Sequence, residues 1–341
     1  YRTVASVSEE EIIEAAAREL AEQIDGIVVT NADQKEELEK LEEAYEDLPD
    51  EAKQIVTQQR FEKLQEAMEL ADQLAVSEEA KVLVKDQSKN AFDLDVNAQS
   101  TMSMGYDTDM GTSVLNGYFA VNNEGATKLF SDKISGTQGF TIEADINPNG
   151  VGASGSDYNM IAAKGDHSMA FRVSENVIYF FIYNGSDWKI ARSRQLTSEE
   201  LSSWLHVAGI YENGNLSVYL EGEELATVSG VGSVASSDYP LGIGYCPETG
   251  RTTSCSIRNI RFYSKALTKE ELDNRAYGPD DESVELWYDF DELVYEGIED
   301  ETAVENLRAY TTSLDLESGD TAQLRVEPVP YYAAADLVYS S

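Results

Sequence analysis

The apolar residues of this chain follow two different periods, and the change between them near residue 90 constrains the fold more than any other feature. Before residue 90 they recur at the three- and four-residue spacing of amphipathic helices. After it, short runs of Val, Ile, Phe and Tyr alternate with clusters of Gly, Ser, Asn and Asp, a pattern typical of short β-strands joined by turns. One structure cannot accommodate both periods, so the sequence predicts at least two regions of different fold class.

The region before residue 80 is predicted to form a small bundle of helices. Ser8 and Glu11 have the spacing of a capping box at a helix start. Apolar residues follow at helical spacing, namely Ile12, Ile13, Ala16, Leu20 and Ile24. A second helix is expected over Ala32–Asp47, Pro49 ends that pattern, and a short and a longer helix follow up to about residue 75. Because no heptad pattern lasts three repeats, a bundle is favoured over a coiled-coil partner helix.

From about residue 90, turn signals at intervals of roughly 8–12 residues predict an antiparallel β-sandwich or jelly roll. Asn213-Gly214 and Glu221-Gly222 have the composition of two-residue hairpin turns. One short helix is expected within the series, at residues 266–272. The clearest predicted strands are Gly139–Asn147, Met160–Lys164, Ser168–Val173, Val177–Tyr183, Trp188–Arg194, Trp204–Tyr211, Leu216–Leu220, Glu224–Ser229, Leu241–Cys246, Cys255–Tyr263 and Val284–Phe290.

The charge of the chain limits its partners. It carries 25 Lys and Arg against 64 Asp and Glu, a formal net charge of −39. This charge opposes binding to nucleic acid or anionic lipid, because the phosphate contribution to affinity requires Lys and Arg. No apolar run approaches the roughly 18 residues that a membrane-spanning helix needs. The acidic excess is concentrated in residues 1–80 and 281–341, as expected for acidic linking modules that stay soluble outside a cell.

Three motifs in the β-rich region resemble the concanavalin A-like, laminin-G-like jelly rolls. Gly139–Pro148 is similar to the first well-marked strand of that family, and residues 204–223 are similar to its W-x-H-V-A … Y-x-x-G hairpin. Ile257–Glu271 is similar to the closing strand and helix. The three occur in the family's order, so the resemblance implies a concanavalin A-like jelly roll over residues 85–295. The sequence departs from the family at Asn259, where many relatives carry Asp.

The two flanking regions resemble other modules. Residues 312–328 and 335–341 resemble the opening of a bacterial immunoglobulin-like (group 2) repeat, and Leu41–Leu48 resembles small helical modules of Gram-positive surface proteins. The resemblances imply a helical bundle module at 1–84, the jelly roll, and a linker with the first strands of an immunoglobulin-like domain at 296–341. Because only the first strands of that repeat are present, we expect the chain to be part of a longer protein.

This order of modules resembles multimodular secreted or wall-attached glycosidases, such as β-galactosidases, of Gram-positive bacteria. In such proteins the jelly roll is usually an accessory domain, often assigned to carbohydrate binding. The resemblance therefore implies a non-catalytic accessory region outside the cell or attached to the cell wall. Its expected partners are glycans, galactosides among them, and the catalytic domain of the same parent protein. Two alternatives stay open: a structural spacer that packs against the catalytic domain, and an adhesin that recognises a host glycoprotein.

Glu143 and Asp145 are the strongest candidates for catalysis. Carboxylates two residues apart on a strand face the same side, and retaining glycosidases use such a pair about 5 Å apart. Some jelly-roll glucanases carry E-x-D-x-x-E, but here Pro148 stands where the last Glu is expected. The apolar face of this strand alternates with them, through Phe140, Ile142, Ala144 and Ile146. The alternation favours two carboxylates on the polar face of the sheet, so the chain is not predicted to be an enzyme by itself.

The two histidines give no better case for catalysis. His206 lies within the hairpin motif and is predicted to be a half-buried structural residue, and His167 lies in a turn between strands. No nucleophile-elbow motif accompanies either of them.

Carbohydrate binding is expected where aromatic side chains lie on loops or exposed faces, because sugar rings stack on them. Trp188 is the first candidate, since it follows a polar loop at the edge of a strand. Arginines on the next strand could donate hydrogen bonds to sugar hydroxyls. The predicted carbohydrate-binding residues are Trp188, Tyr183, Arg192, Tyr158 and Tyr245. Trp204 and Trp287 occupy family core positions and are expected to pack inside.

A structural Ca²⁺ ion is expected from the family resemblance, held by carboxylates and backbone carbonyls. Asp289, Asp291 and Glu292 resemble the family's F-D-E element, and Asp107 and Asp109 are further oxygen donors. A solvated acidic turn is the alternative.

Cys246 and Cys255 flank the polar loop 247–254 between two predicted strands. Neighbouring strands can bring two Cα atoms within the 4.4–6.8 Å that a disulfide tolerates. A disulfide across this loop is therefore predicted, in keeping with an exported protein. Reduced, buried thiols are the alternative.

Overall fold

The computed structural model describes residues 8–107, 111–136, 138–148, 158–298, 306–309 and 326–329. The described residues divide into two compact units. The first unit takes those up to Leu83, those between 105 and 112, and those from Leu293 onward. The second takes 84–104 and those between 113 and 292. The three-module division expected from the sequence stays a prediction.

The first unit contains the predicted helices. They are α1 (Glu9–Asp25), α2 (Lys35–Glu46), α3 (Asp50–Val56) and α4 (Gln58–Val76). The capping box is confirmed, because the Glu11 backbone N–H donates to Ser8 Oγ at 3.2 Å. The helices bury one apolar side each, with Leu20, Ile24 and Leu64 at 5% exposure or less. Among the described residues, no helix is long and apolar enough to cross a membrane.

Short strands and two helices make up most of the described residues that follow α4. The helices are α5 (Ala126–Ile134) and α6 (Lys269–Asp273). The first strands are β1 (Lys81–Asp86), β2 (Leu94–Asp95), β3 (Met104–Asp107), β4 (Thr112–Leu115), β5 (Phe119–Val121), β6 (Gly139–Asn147), β7 (Asn159–Gly165), β8 (Met169–Ser174) and β9 (Val177–Tyr183). The others are β10 (Trp188–Gln195), β11 (Leu205–Glu212), β12 (Asn215–Leu220), β13 (Glu223–Ser229), β14 (Leu241–Ile243), β15 (Ser256–Tyr263), β16 (Val284–Glu296), β17 (Asn306–Ala309) and β18 (Val326–Val329).

Two large sheets form the sandwich. The ten-stranded sheet has the main order β13-β12-β11-β6-β15-β16-β1-β2, with β3 and β4 off this path. The six-stranded sheet has the order β10-β9-β8-β7-β14-β5, and its neighbouring strands are antiparallel. The predicted hairpin turns are confirmed, since Asn213, Gly214, Glu221 and Gly222 all have the positive φ of a type I′ turn.

Aromatic side chains from both sheets fill the space between them. Phe140 of β6 meets Phe180 of β9 edge to face, with ring centroids 6.0 Å apart. Gly209 of β11 lies directly against that Phe180 ring: a Cβ at position 209 would stand 2.6 Å from a ring carbon. A glycine is needed here because any side chain would separate the sheets or displace the ring.

Two expectations were wrong. The sequence reading placed one helix within the β-rich region, but α5 is a second one, with Ala126, Phe130 and Ile134 buried at four-residue spacing. Trp204 and Trp287 do not lie in the sandwich core: both are half-buried. Trp287 pairs with Arg261 across β15 and β16, and Arg261 in turn pairs with Glu143, so these side chains share the polar face of the sheet.

The C-terminal region is described only in part. β17 and β18 form an antiparallel pair. Most of the immunoglobulin-like motif at 312–328, and all of that at 335–341, lie outside the described residues. The immunoglobulin-like repeat therefore stays a prediction.

Candidate functional site

The outer face of the six-stranded sheet, which points away from the sandwich core, carries a continuous set of large side chains. Met160, Arg172, Tyr179 and Arg192 lie opposite one another across β7, β8, β9 and β10. Residues paired in this way point to the same side of a sheet. The strand register therefore places two arginines on one row, separated by a tyrosine.

Two further rows continue this outer face toward the far end of β10. Side chains two residues apart on a strand share a face, so these rows point the same way as the first. The rows consist of Ala163, Ala170, Phe181 and Ile190, followed by Tyr183 and Trp188. Phe181 is 5% exposed, whereas Ile190 is 46% exposed, so the face becomes more open toward β10.

Three rings form an aromatic cluster at one end of the outer face. His167, Tyr183 and Trp188 contact one another with centroid distances of 5.0 to 5.1 Å. Trp188 is 42% exposed, and its indole N–H donates to the Asp166 carbonyl at 3.0 Å. The His167 ring lies 2.5 Å from a Glu248 carboxylate oxygen, measured from Nδ1. These contacts hold the rings in place while leaving the indole of Trp188 accessible.

An arginine cluster lies at the other end. The Arg172 guanidinium carbon is 4.5 Å from the centroid of Tyr158, 5.4 Å from that of Tyr179 and 5.3 Å from that of Phe181. Arg251 also lies 4.5 Å from the Tyr158 ring. Burial and the charge of Arg251 lower the pKa of Arg172. The rings attract the guanidinium group through their π-faces, so the arginine is held in a fixed position.

The structure brings four of the five predicted carbohydrate-binding residues to this face. Trp188, Tyr183 and Arg192 lie on its rows, and Tyr158 covers Arg172. Tyr245 belongs to neither cluster: it follows β14, and its ring lies 5.3 Å from that of Tyr118.

Sequence reasoning missed several residues of the two clusters. They are His167, Arg172, Tyr179, Phe181 and Arg251. The two-residue spacing of Tyr179, Phe181 and Tyr183 was a signal that could have placed these three rings on one face. Arg172 gave no such signal, because its neighbours come from other strands and from a loop.

The outer face of the ten-stranded sheet holds Glu143 buried, at 2% exposure. Its carboxylate lies 3.0 Å from His206 Nε2, accepts a hydrogen bond from the Tyr263 hydroxyl at 2.7 Å, and lies 3.5 Å from Arg261. Burial alone would raise the pKa of Glu143, but these partners hold it below its usual value. The prediction that His206 is a half-buried structural residue agrees with this contact, since its side chain is 13% exposed.

Asp145 has cationic partners of its own and is 3% exposed. It accepts hydrogen bonds from Arg258 at 2.7 Å, from Arg275 at 2.7 and 2.9 Å, and from the Asn259 amide at 2.5 Å. Despite its burial, these donors hold the pKa of Asp145 below its usual value. An amide at 259 can donate to Asp145, whereas a carboxylate at that position would repel it.

The outer face of the ten-stranded sheet is closed by the chain between β15 and β16. Ala266, Leu267, Leu272 and Tyr277 pack against it in one apolar cluster. Glu143 and Asp145 therefore lie beneath this segment and pair with cations, as structural ion pairs do, rather than lining an open cleft.

The predicted calcium ligands do not converge. Asp289 accepts hydrogen bonds from Trp287 Nε1 at 2.8 Å and Gln87 Nε2 at 3.1 Å. Asp291 lies on the same side of β16, but Glu292 points to the other side. Within the part of the chain that the structure describes, no three His, Cys, Asp or Glu residues form a group that could hold a metal ion. Asp109 lies outside that part. These three carboxylates thus do not fit a joint calcium site, and calcium binding stays a prediction.

The disulfide predicted between Cys246 and Cys255 is not formed: both are free, buried thiols. The prediction treated their strands as neighbours in one hairpin. However, β14 belongs to the six-stranded sheet and β15 to the ten-stranded sheet, so the loop 247–254 crosses from one sheet to the other. Cys246 packs on the outer face with Met160 and Phe181 instead. Burial raises the pKa of the Cys255 thiol to about 12.

Comparison with known proteins identifies the β-rich region. Residues 116–273 match the family model described as the concanavalin A-like lectin/glucanases superfamily. The match covers just under half of the chain and, together with the two antiparallel sheets, shows that the predicted jelly roll is correct. No curated protein matches the chain.

Solved structures resemble part of the chain. A heptameric pentraxin of Limulus polyphemus is 17% identical, with a TM-score of 0.33, over 48% of this chain and 85% of that one. A candidate carbohydrate-binding protein of Bacteroides ovatus is 19% identical, with a TM-score of 0.38, over 62% of this chain and 52% of that one. The binding domain of Paraclostridial Mosquitocidal Protein 1 is 14% identical, with a TM-score of 0.40, over 57% of this chain and 51% of that one. The chain thus spans only about half of the last two.

Proposed function

We propose that the concanavalin A-like jelly roll of this chain binds carbohydrate on the outer face of its six-stranded sheet. The observation that carries the proposal is the aromatic cluster, in which Trp188 is 42% exposed yet held by contacts to Tyr183 and His167. An accessible aromatic ring with a polar edge, held in a fixed position, suits a ligand that is part apolar and part polar.

The site is prepared for a ligand before binding. The hydrogen bond from the Trp188 indole to the Asp166 carbonyl fixes the ring, so little side-chain entropy is lost when a sugar stacks on it. The surroundings offer polar groups for the sugar hydroxyls, including Arg192 on the same face. Because the platform is shallow, we expect dissociation constants between about 1 μM and 1 mM.

The wider setting is part of the proposal and rests on the sequence resemblances. We propose a non-catalytic accessory region of a larger glycosidase, outside the cell or on the cell wall of a Gram-positive bacterium, with galactosides among its ligands. The paired, covered state of Glu143 and Asp145 supports the non-catalytic part, because a glycosidase needs two carboxylates facing bound sugar.

A glycan array followed by calorimetry tests binding. We expect Trp188→Ala to abolish it and Trp188→Phe, which keeps a ring but loses the N–H, to retain most of it. Val76→Ala is the matched control, since it truncates an 83% exposed apolar side chain on α4. If the native chain binds no glycan on an array that includes galactosides, with calcium present, the proposal is wrong and the structural-spacer alternative is favoured.

A further inference from the structure

We infer that the glycan carries a carboxylate, which Arg172 and Arg192 bind while another ring of the same glycan stacks on Trp188. This inference rests on the proposed function and names the ligand class of that site. Three observations carry it: the absence of acidic partners for these two arginines, the geometry of Arg172, and the distance between the two clusters.

The first observation is that two arginines on this face have no carboxylate partner. The second unit contains seven arginines, and five of them lie within 4 Å of a carboxylate. These five are Arg194 with Glu200, Arg251 with Asp166, Arg261 with Glu143, and Arg258 and Arg275 with Asp145. Among the described residues, Arg172 and Arg192 have no such partner. The carboxylates of Asp166 and Glu248 lie at this face, but they are paired with Arg251 and His167.

The second observation is how the Arg172 guanidinium is presented. Rings of Tyr158, Tyr179 and Phe181 contact it, so its hydrogen-bonding edge, rather than its face, is what a ligand can use. A planar fork of N–H donors matches a carboxylate, which is also planar and accepts two hydrogen bonds. In addition, Arg172 Nε is buried without a hydrogen-bond partner in the described chain. The chain thus leaves this guanidinium group short of acceptors, which favours a ligand acceptor at its remaining N–H groups.

Arg192 is placed to assist. It is paired with Tyr179, which is paired with Arg172, so the two arginines are two strands apart on one row. Neighbouring strands are about 4.8 Å apart, which puts the two Cα atoms roughly 10 Å from each other. Two arginine side chains can converge over that span on one anionic group, with the Tyr179 hydroxyl between them.

The third observation concerns the size of the ligand. Trp188 and Arg192 are four residues apart on β10, or about 13 Å. Ile190 lies between them on the same face and is 46% exposed, so an apolar surface connects the two clusters. A free carboxylate cannot span this distance, whereas an oligosaccharide with one acidic residue can stack one ring on Trp188 and place its carboxylate at the arginines.

The test compares matched glycans that differ in one carboxylate. We would titrate the full chain with sialyllactose and lactose, and with a galacturonate oligosaccharide and its methyl ester. The acidic member of each pair should bind at least about tenfold more tightly, and that advantage should shrink at high salt because charges are screened. Arg172→Gln and Arg192→Gln should remove the advantage, because each should weaken binding of the acidic glycan much more than binding of its neutral counterpart.

Two control variants test whether the effect comes from the arginines at this site. The alternatives are a change in the net charge of the protein and a loss of folding. Arg194→Gln makes the same charge change on the same strand, at an arginine already paired with Glu200, and should keep the advantage. Arg172→Lys keeps the charge but loses the planar fork. It should lose most of the affinity advantage for the acidic glycan and keep the melting temperature of the native chain.

The outcomes distinguish this inference from the function it rests on. Equal binding of acidic and neutral glycans, both abolished by Trp188→Ala, would overturn the carboxylate inference and leave carbohydrate binding intact. Tight binding of sulfated but not carboxylated glycans would also overturn it. Absence of binding to every glycan would overturn both.

Discussion

Arg275 donates to both carboxylate oxygens of Asp145, at 2.7 and 2.9 Å, and so ties the segment after α6 to β6 in the ten-stranded sheet. Asp145 is 3% exposed, whereas the Arg275 side chain is 38% exposed. Loss of Arg275 would leave the buried Asp145 carboxylate, which Arg258 still holds. Loss of the Asp145 carboxylate would leave arginines that can turn to solvent.

We expect Asp145→Asn to lower the free energy of unfolding by about 3 kcal/mol, because it weakens the hydrogen bonds to Arg258, Arg275 and Asn259 together at a position that is 3% exposed. Arg275→Gln should cost about 1 kcal/mol. Glu14→Gln, in the exposed pair of Glu14 with Arg18, is the control and should cost at most a few tenths of a kcal/mol. Urea denaturation at pH 7 measures all three. Equal costs for Asp145→Asn and Glu14→Gln would contradict the structural role of the buried pair.

Glu143 should make the fold sensitive to acid. Its partners His206, Tyr263 and Arg261 hold its pKa below the usual value in the folded state, against the effect of burial. The stability that it contributes is complete above the unfolded pKa and is lost as the pH falls through the folded one. We therefore expect Glu143→Gln to be less stable than the native chain at pH 7, and the difference to shrink below about pH 4. A difference that stays constant from pH 7 to pH 3 would contradict this.

Lys164 should make stability rise with pH as well, but in the alkaline range. It is fully buried on β7 and donates to the carbonyls of Ser237 and Tyr239, and burial lowers its pKa to about 8. The unfolded chain keeps this proton up to about pH 10.5, so the native state gains stability as the pH rises between the two values. Relative to Lys164→Met, the native chain should gain up to about 3 kcal/mol across this window. If the free energies of unfolding of the two proteins change with pH in parallel, Lys164 stays charged in the folded state.

The two cysteines should be thiols and should be unreactive in the folded protein. Each is at most 1% exposed, and a pKa of about 12 for Cys255 leaves almost no thiolate at neutral pH. Alkylation followed by mass spectrometry should label neither residue in the native chain and both after denaturation without a reductant. The melting temperature should be the same with and without dithiothreitol. A loss of two protons in mass, or a fall in melting temperature on reduction, would instead show a disulfide.

Calcium binding stays a prediction from the sequence resemblance, and it can be tested directly. If Asp289 and Asp291 contribute to a site, calcium should raise the melting temperature, a chelator should lower it, and Asp289→Asn should remove the response. Glu292→Gln tests whether the third predicted ligand takes part, because its side chain lies on the other side of β16. A melting temperature indifferent to calcium would rule out a stabilising ion at these residues.

Elements defined by local periodicity were predictable from the sequence. β6 was expected with the bounds that it has, because apolar and polar residues alternate through all of Gly139–Asn147. The hairpin turns were also predictable, since Asn213-Gly214 meets the backbone requirement of its turn by itself. Trp188 and Tyr183 belong to one hairpin, so sequence proximity was enough to place them together.

Features that depend on pairing between distant segments were not predictable in this way. Arg172 becomes part of the site through Tyr179 and Phe181 on the next strand and Tyr158 just before β7. The register that unites them is set by packing of the whole sheet. For the two cysteines, proximity in sequence was misleading. Cys246 and Cys255 are nine residues apart, but the strands next to them belong to different sheets.

The covered surface of the ten-stranded sheet bears on how the jelly roll would orient a bound glycan. The chain around α6 and Arg275 cover the part of the ten-stranded sheet that holds Glu143 and Asp145, whereas the proposed binding site lies on the other sheet. The Trp188 platform and the arginine row are unlike each other and lie four residues apart along β10, so a bound glycan would have a set polarity. Its two ends would leave the protein in fixed directions, and the module would therefore orient the polymer that it holds as well as retain it.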